Sequence, residues 1–146
     1  MKKMRGLYMV EFAIVGSLLL MLLFGCLEFG LVTFSMAALN EGTRRAARLA
    51  AVCPLNDPKI TSAVNFMGVY GFNDATNVLV TYLDANGATL TAPILAGTVR
   101  YVEVSVQNYT IPLAIPGLSQ SITSPSFAVT LPAESLGVSN AGATAC

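Results

Sequence analysis

Between Leu7 and Leu39 the only charged residues are Glu11 and Glu28, and most of the others are Leu, Val, Ile, Met, Phe, Ala or Gly. Residues 7 to 52 contain no proline and are rich in Leu, Met, Ala and Glu. The pattern therefore predicts one continuous helix of about 46 residues, in spite of Gly16, Gly25, Gly30 and Gly42. At 1.5 Å per residue such a helix is roughly 69 Å long, more than twice a ~30 Å hydrocarbon core, so its second half projects into water. The polar positions agree. Beyond Glu28, Phe29, Val32, Met36 and Leu39 recur at helical spacing, while Asn40, Glu41, Arg44, Arg45 and Arg48 supply a polar side. An amphipathic half of this kind packs its stripe on a folded domain.

Cys53-Pro54 ends the helix. Asp57 then stands as an N-cap with Pro58 at the first helical position, and Ile60, Ala63, Val64 and Met67 form an apolar face, which predicts a short second helix to about Met67, broken by Gly68 and Gly71. From Asn77 the period changes to two. NVLVTYLD, TVRYVEVSVQNYTI and SFAVTL alternate apolar with polar residues and are rich in β-branched and aromatic ones, which predicts three antiparallel strands near 77–84, 98–111 and 121–131. Asp84-Ala85-Asn86-Gly87 is a turn signal; Pro112, Pro116 and Gly117 separate the second and third strands; the tail LGVSNAGATAC has no periodicity. The fold class is α+β: a long N-terminal transmembrane helix continuing into a small domain with a short helix and a three-stranded, or larger, antiparallel sheet.

Composition narrows the chemistry. The 146 residues include no histidine and no tryptophan, which removes the commonest general base and the commonest metal ligand. No nucleophile stands beside a recognisable base and no acids cluster at metal-ligand spacing, so neither an enzyme nor a metal or cofactor site is expected. The formal net charge is zero, with Lys2, Lys3 and Arg5 before the apolar run and Arg44, Arg45 and Arg48 after it. Neither cluster makes the broad basic stripe of a nucleic-acid face. The leader charges abut the apolar run, and the positive-inside tendency leaves them in the cytoplasm with the helix leading outward.

Of the three cysteines, Cys26 lies inside the apolar run, where plain packing suffices, while Cys53 and Cys146 bracket the region after it. If that region is exported to an oxidising compartment, a bond between them would close a long loop worth at most about 4.5 kcal/mol; the alternative is two free or intermolecular thiols. The two acids separate by height. Glu28 lies about 32 Å along the axis from Leu7, near the outer membrane boundary, and reads as an interface residue. Glu11 lies only about 6 Å in, where a cation can pair with it, and an acid at mid-bilayer would cost roughly 2.5 to 3.5 kcal/mol.

The leader carries a resemblance. Gly6, then Leu7-Tyr8-Met9-Val10, then Glu11-Phe12 at the opening of a long apolar helix resembles prepilin leaders, which a membrane aspartyl peptidase cuts after the glycine and in which a glutamate stands fifth in the mature chain. More narrowly, EFAIVGSLLLMLLFGCLEFG followed by LNEGTRRAARLA is similar to the TadE-like minor pilins (pseudopilins) of tight-adherence, Flp-type, type IV pilus systems. Gly16-Ser17 stands where many members have a proline, and Asn40-Glu41-Gly42-Thr43-Arg44 approximates their REGAR-like segment.

The resemblance implies cleavage between Gly6 and Leu7, with Glu11 and Phe12 serving processing and assembly. It implies a leader at 1–6, a helix at 7–52 with a membrane half 7–28 and a soluble half 29–52, and an exported pilin-like domain at 53–146. The implied place is the bacterial inner membrane, single-pass with the C-terminal domain periplasmic, or an extracellular pilus used in adhesion. The implied partners are the prepilin peptidase, other pilins and pseudopilins, the inner-membrane assembly platform and membrane lipid, with no nucleic acid.

Other readings compete with it. Leu23-Phe24-Gly25-Cys26 after a basic start resembles a lipoprotein signal acylated at Cys26, but Phe24 is bulky for its position and hydrophobicity continues beyond the cysteine. A membrane-anchored periplasmic binding module of another kind is the remaining alternative. Arg44, Arg45 and Arg48 read as a solvated face or as contacts to neighbouring subunits or the sheet. Asp84-Ala85-Asn86-Gly87 lacks the later ligands of a calcium loop, Asn108-Tyr109-Thr110 falls inside a predicted strand, and Gly68-Val69-Tyr70-Gly71 lacks the glycine spacing of a nucleotide site.

Overall fold

The structure is a computed structural model and describes residues 4–113, 120–139, 142–143 and 146. Lys2, Lys3 and the Pro116-Gly117 separator lie outside the described residues. The proline-free, leucine-rich stretch forms one unbroken helix, α1 (Met4–Val52, 49 residues). Its side chains are largely exposed up to Phe34, and the buried face begins at Ala38 and Leu39. From there Leu39, Thr43, Ala46, Ala47 and Ala50, each at most 1 % exposed, form a stripe of mostly small residues that lets a sheet approach the helix closely. Thr43 satisfies its own buried hydroxyl by donating to the Leu39 carbonyl at 2.7 Å. Of the stripe expected from the sequence, Val32, Met36 and Leu39 reach the core, but Phe29 remains 71 % exposed, because the domain covers the helix only from above that level.

The sheet is built on β1 (Val78–Leu83), β2 (Tyr101–Val106) and β5 (Phe127–Pro132), antiparallel in the order β1-β2-β5. Val104 pairs with Val80 on one side and Val129 on the other. The central β2 turns Val102, Val104 and Val106 to a fully buried face, and α1 packs against β2 and β5. Two smaller pairs complete the domain, β3 (Thr110–Pro112) with β4 (Ser121–Thr123), and β6 (Val138–Ser139) with β7 (Gly142–Ala143).

The expected second and third strands are each broken in two. Asn108 takes φ 53, a left-handed conformation that ends β2 and redirects the chain into β3. Ser124-Pro125-Ser126 interrupts the other, since proline cannot donate to a ladder. The Asn108-Tyr109-Thr110 triplet accordingly begins at an exposed bend and not inside a strand. The second helix is also shorter than expected. α2 (Pro58–Ser62) has Asp57 as N-cap, its carboxylate accepting from the Lys59 N–H at 2.9 Å, but the Thr61 and Ser62 hydroxyls bond back to the Pro58 and Lys59 carbonyls and residues 63–67 form turns. A one-turn helix, α3 (Asp74–Asn77) capped by Asn73, was too short to leave a periodic signal.

The last carbonyls of α1, which no helical N–H can reach, are satisfied by the chain that follows β5. The Glu134 N–H donates to the Ala51 carbonyl at 2.9 Å and the Gly137 N–H to the Val52 carbonyl at 2.6 Å. Gly137 has φ 74 and lies against Pro54, so a side chain there meets both strain and a clash. A disulfide joins Cys53, fully buried at the helix end, to Cys146, with Cα atoms 5.7 Å apart. The Asp84–Gly87 turn forms as expected, with the Asp84 carboxylate accepting from the Asn86 and Ala88 N–H groups at 2.8 Å each.

Candidate functional site: the exposed apolar half of the helix and the domain end beside it

The residues singled out by sequence lie along one rod. Gly6, Leu7, Glu11 and Phe12 occupy its first turns, all exposed, with Leu7 at 66 % and Phe12 at 77 %. Helix α1 begins at Met4, so Gly6 and Leu7 are already helical. Glu11 stands one turn beyond Leu7. Cys26 is exposed with a free thiol near the outer end of the apolar half. Glu28 lies where the rod meets the domain, half-buried at the edge of a groove. Cys53 and Cys146 close the far end of α1, roughly 69 Å from Leu7 by helix rise. The structure thus does not gather these residues into one site; it spaces them along an axis. α1 is long and apolar enough to cross a membrane, with a window of mean hydropathy 2.4, none of it buried against the domain.

The arginines beyond the apolar half face solvent. Arg45 pairs with Glu41 at 3.0 Å, one turn earlier, and lies 3.9 Å above the Phe66 ring. Both partners of the pair are about half exposed, so it contributes only about 0.3 to 0.5 kcal/mol. With Arg48, Phe66, Leu131 and Glu134 it edges an open groove of about 800 Å³ at the distal end of the domain.

At the opposite end a groove of about 470 Å³ separates Glu28, Leu31 and Phe34 of α1 from Tyr70, Ile111 and Leu113. Its outer wall is held firmly. The Tyr109 hydroxyl donates to the Tyr70 carbonyl at 2.7 Å, and the Tyr109 ring meets Phe72 edge-on at 5.3 Å. Burial raises the Tyr109 phenol above its ordinary pKa. Burial likewise raises the Asp74 carboxyl, one of whose oxygens is buried with no hydrogen-bond partner among the described residues. Sequence reasoning met Gly68 and Gly71 as helix breakers and Gly68-Val69-Tyr70-Gly71 as a failed nucleotide motif. The usable signal was an aromatic residue between two glycines, a turn that presents its side chain outward.

Among the described residues no group of three or more His, Cys, Asp or Glu could hold a metal ion. No curated protein and no solved structure matches the chain. Residues 6–48 match the family model described as TadE-like protein, a segment that takes in the exposed apolar half of α1 and most of its buried half.

Proposed function

We propose that the protein is a minor pilin, or pseudopilin, that serves as a structural or assembly component of a tight-adherence, Flp-type pilus. One observation carries the reading: a single helix whose first half is exposed, apolar and of membrane length runs without a break into a second half that forms the core of a small folded domain, with the TadE-like match lying on it. A rigid rod of this kind passes from lipid into a packed bundle of like helices while keeping the domain at a fixed height above it.

In this reading residues 1–6 are a leader removed by a prepilin peptidase between Gly6 and Leu7, residues 7–52 are the helix, divided at about Glu28 into membrane and soluble halves, and residues 53–146 are the domain exported to the periplasmic side of the inner membrane. Phe12 and Glu11 form the recognition and assembly end. The Glu11 carboxylate pairs with the new α-amino group of Leu7 on a neighbouring subunit, which neutralises two charges that are each costly alone in an apolar bundle. Other pilins of the same system and the membrane assembly platform are the partners, and the function is structural and not catalytic.

The mass of the mature chain tests the processing step. An N-terminus at Leu7 supports it, an intact Met1 refutes it in favour of an ordinary anchored module, and acylation at Cys26 refutes it in favour of a lipoprotein. The Glu11→Ala variant is expected to be cleaved but to co-purify poorly with the pilus machinery. Normal incorporation would remove the role given to Glu11.

A further inference from the structure

We propose that the end of the small domain beside the apolar half of α1 rests on the bilayer that the helix crosses, with Tyr70 as its contact at the boundary between headgroups and acyl chains. The inference builds on the membrane-spanning reading of α1. Tyr70 is 83 % exposed, more than any other large apolar or aromatic side chain among the described residues. It is nevertheless not loose. Its carbonyl accepts the Tyr109 hydroxyl at 2.7 Å, and Gly68 and Gly71 on either side take φ 66 and 72, which fixes a turn that only glycine adopts readily and that holds the ring outward.

Height identifies what this ring meets. Tyr70 shares the groove with Glu28, Leu31 and Phe34, which lie about 32, 36 and 40 Å from Leu7 along the helix axis. A hydrocarbon core is about 30 Å thick and a bilayer with its headgroups about 40 to 45 Å. With the core starting at Leu7, the headgroup layer on the domain's side runs from about 30 to about 36 Å, so the groove opens in that layer at Glu28 and Leu31 and rises just above it at Phe34, and tyrosine is a side chain that favours that layer, with an apolar ring and a hydroxyl that stays wet. Leu31 at 57 % and Phe34 at 51 % exposure continue the same apolar surface up the helix. Among the described residues the lining carries one charge, Glu28, and no cation, so the recognised chemistry is the polar–apolar boundary of lipid and not an anionic headgroup.

The opposite end of the sheet gives an internal reference. There the Glu134 N–H reaches the Ala51 carbonyl, roughly 66 Å from Leu7, and Arg100 bonds to the end of β1. Leu95, 70 % exposed in the connection between β1 and β2, belongs to that distal end.

The absence of tryptophan supplies the experiment. Full-length Tyr70→Trp, Leu95→Trp and Phe24→Trp proteins are reconstituted sparsely in phosphatidylcholine vesicles and titrated with acyl-brominated lipid and with aqueous iodide. Each substituted side chain is at least half exposed, so none of the changes removes core packing. The expected result is that Trp at 70 emits to the blue of Trp at 95, is quenched several-fold more strongly by brominated lipid and is shielded from iodide, while Trp at 24 is quenched by lipid alone. If Trp at 24 is quenched by lipid but Trp at 70 behaves like Trp at 95, the docking is refuted and the spanning helix stands. If Trp at 24 escapes lipid quenching, the spanning reading fails and this proposal with it. Shielding of Trp at 70 from iodide without lipid quenching would mean that another protein surface covers it, and would also overturn the proposal.

Discussion

Gly42 lies in the middle of the buried half of α1, where a helix propensity scale makes glycine a liability of about 1 kcal/mol relative to alanine. The structure reverses that preference. A Cβ built on Gly42 lies 2.7 Å from the Val64 carbonyl carbon and 3.0 Å from its Cα, and overlaps the carbonyl oxygen more severely still. Non-bonded carbons settle at about 3.5 to 4.0 Å, so the 61–67 segment has to retreat from the helix by roughly 1 Å to admit one methyl group. The obstacle is backbone and cannot turn aside as a side chain does, which places the cost near the upper end of the usual ~1 to 3 kcal/mol for overpacking. Subtracting the propensity gain leaves Gly42→Ala destabilised by about 2 kcal/mol, a fall in Tm of roughly 8 to 16 °C for a domain of this size. Thermal unfolding of the full chain in mild detergent, followed by the near-UV circular dichroism of buried Tyr82 and Tyr109, measures it. Gly30→Ala is the matched control, since a Cβ there meets nothing within 4 Å and the same substitution is expected to be neutral or stabilising by up to about 1 kcal/mol. If Gly42→Ala melts with or above the unsubstituted protein, the close approach of helix and loop is wrong.

Four further outcomes follow from contacts within the domain. Reducing the Cys53–Cys146 bond, which spans 93 residues, is expected to lower stability by up to about 4.5 kcal/mol; equal denaturation midpoints with and without reductant would show that the tail does not hold the helix end. Tyr82, 2 % exposed, accepts the Asn56 N–H at 2.9 Å, so Tyr82→Phe should cost about 1 kcal/mol in the same assay. Burial raises the Tyr82 and Tyr109 phenols above 10.0, so the unfolded chain releases these protons first; stability is complete below pH 10.0 and falls as pH rises beyond it, and a double Phe variant whose alkaline loss is unchanged would refute the assignment. Burial also raises Asp74 above 3.8, so the folded protein holds that proton longer than the unfolded chain and loses stability as pH rises from 3.8 through the folded value; Asp74→Asn should flatten this acid-side slope and add a little stability at neutral pH, read from denaturation midpoints across that window.

How much was legible in the chain differs by element. The length and continuity of α1 were written in composition, because an apolar helix without proline needs no tertiary partner to declare itself. The three long strands of the sheet were legible for a related reason: Val78–Leu83, Tyr101–Val106 and Phe127–Pro132 lie in stretches of alternating residues around a buried centre. The breaks at Asn108 and Pro125 were not read correctly, although each has a local cause. A period-two pattern runs straight through a single left-handed residue, and the pattern outweighed it.

By itself the sequence determined a membrane-length helix that turns amphipathic near Glu28, the presence of an antiparallel sheet, and the turn and cap at Asp84 and Asp57. These depend on neighbours within a few residues, through periodicity and local hydrogen bonds. Only the tertiary structure decided that Gly42 is a contact and not a weakness, that α1 buries an alanine stripe and leaves Phe29 outside, and that Tyr70 shares a groove with Glu28. Each of these sets side by side groups far apart in the chain, and distance across a fold leaves no mark on the spacing of residues along it.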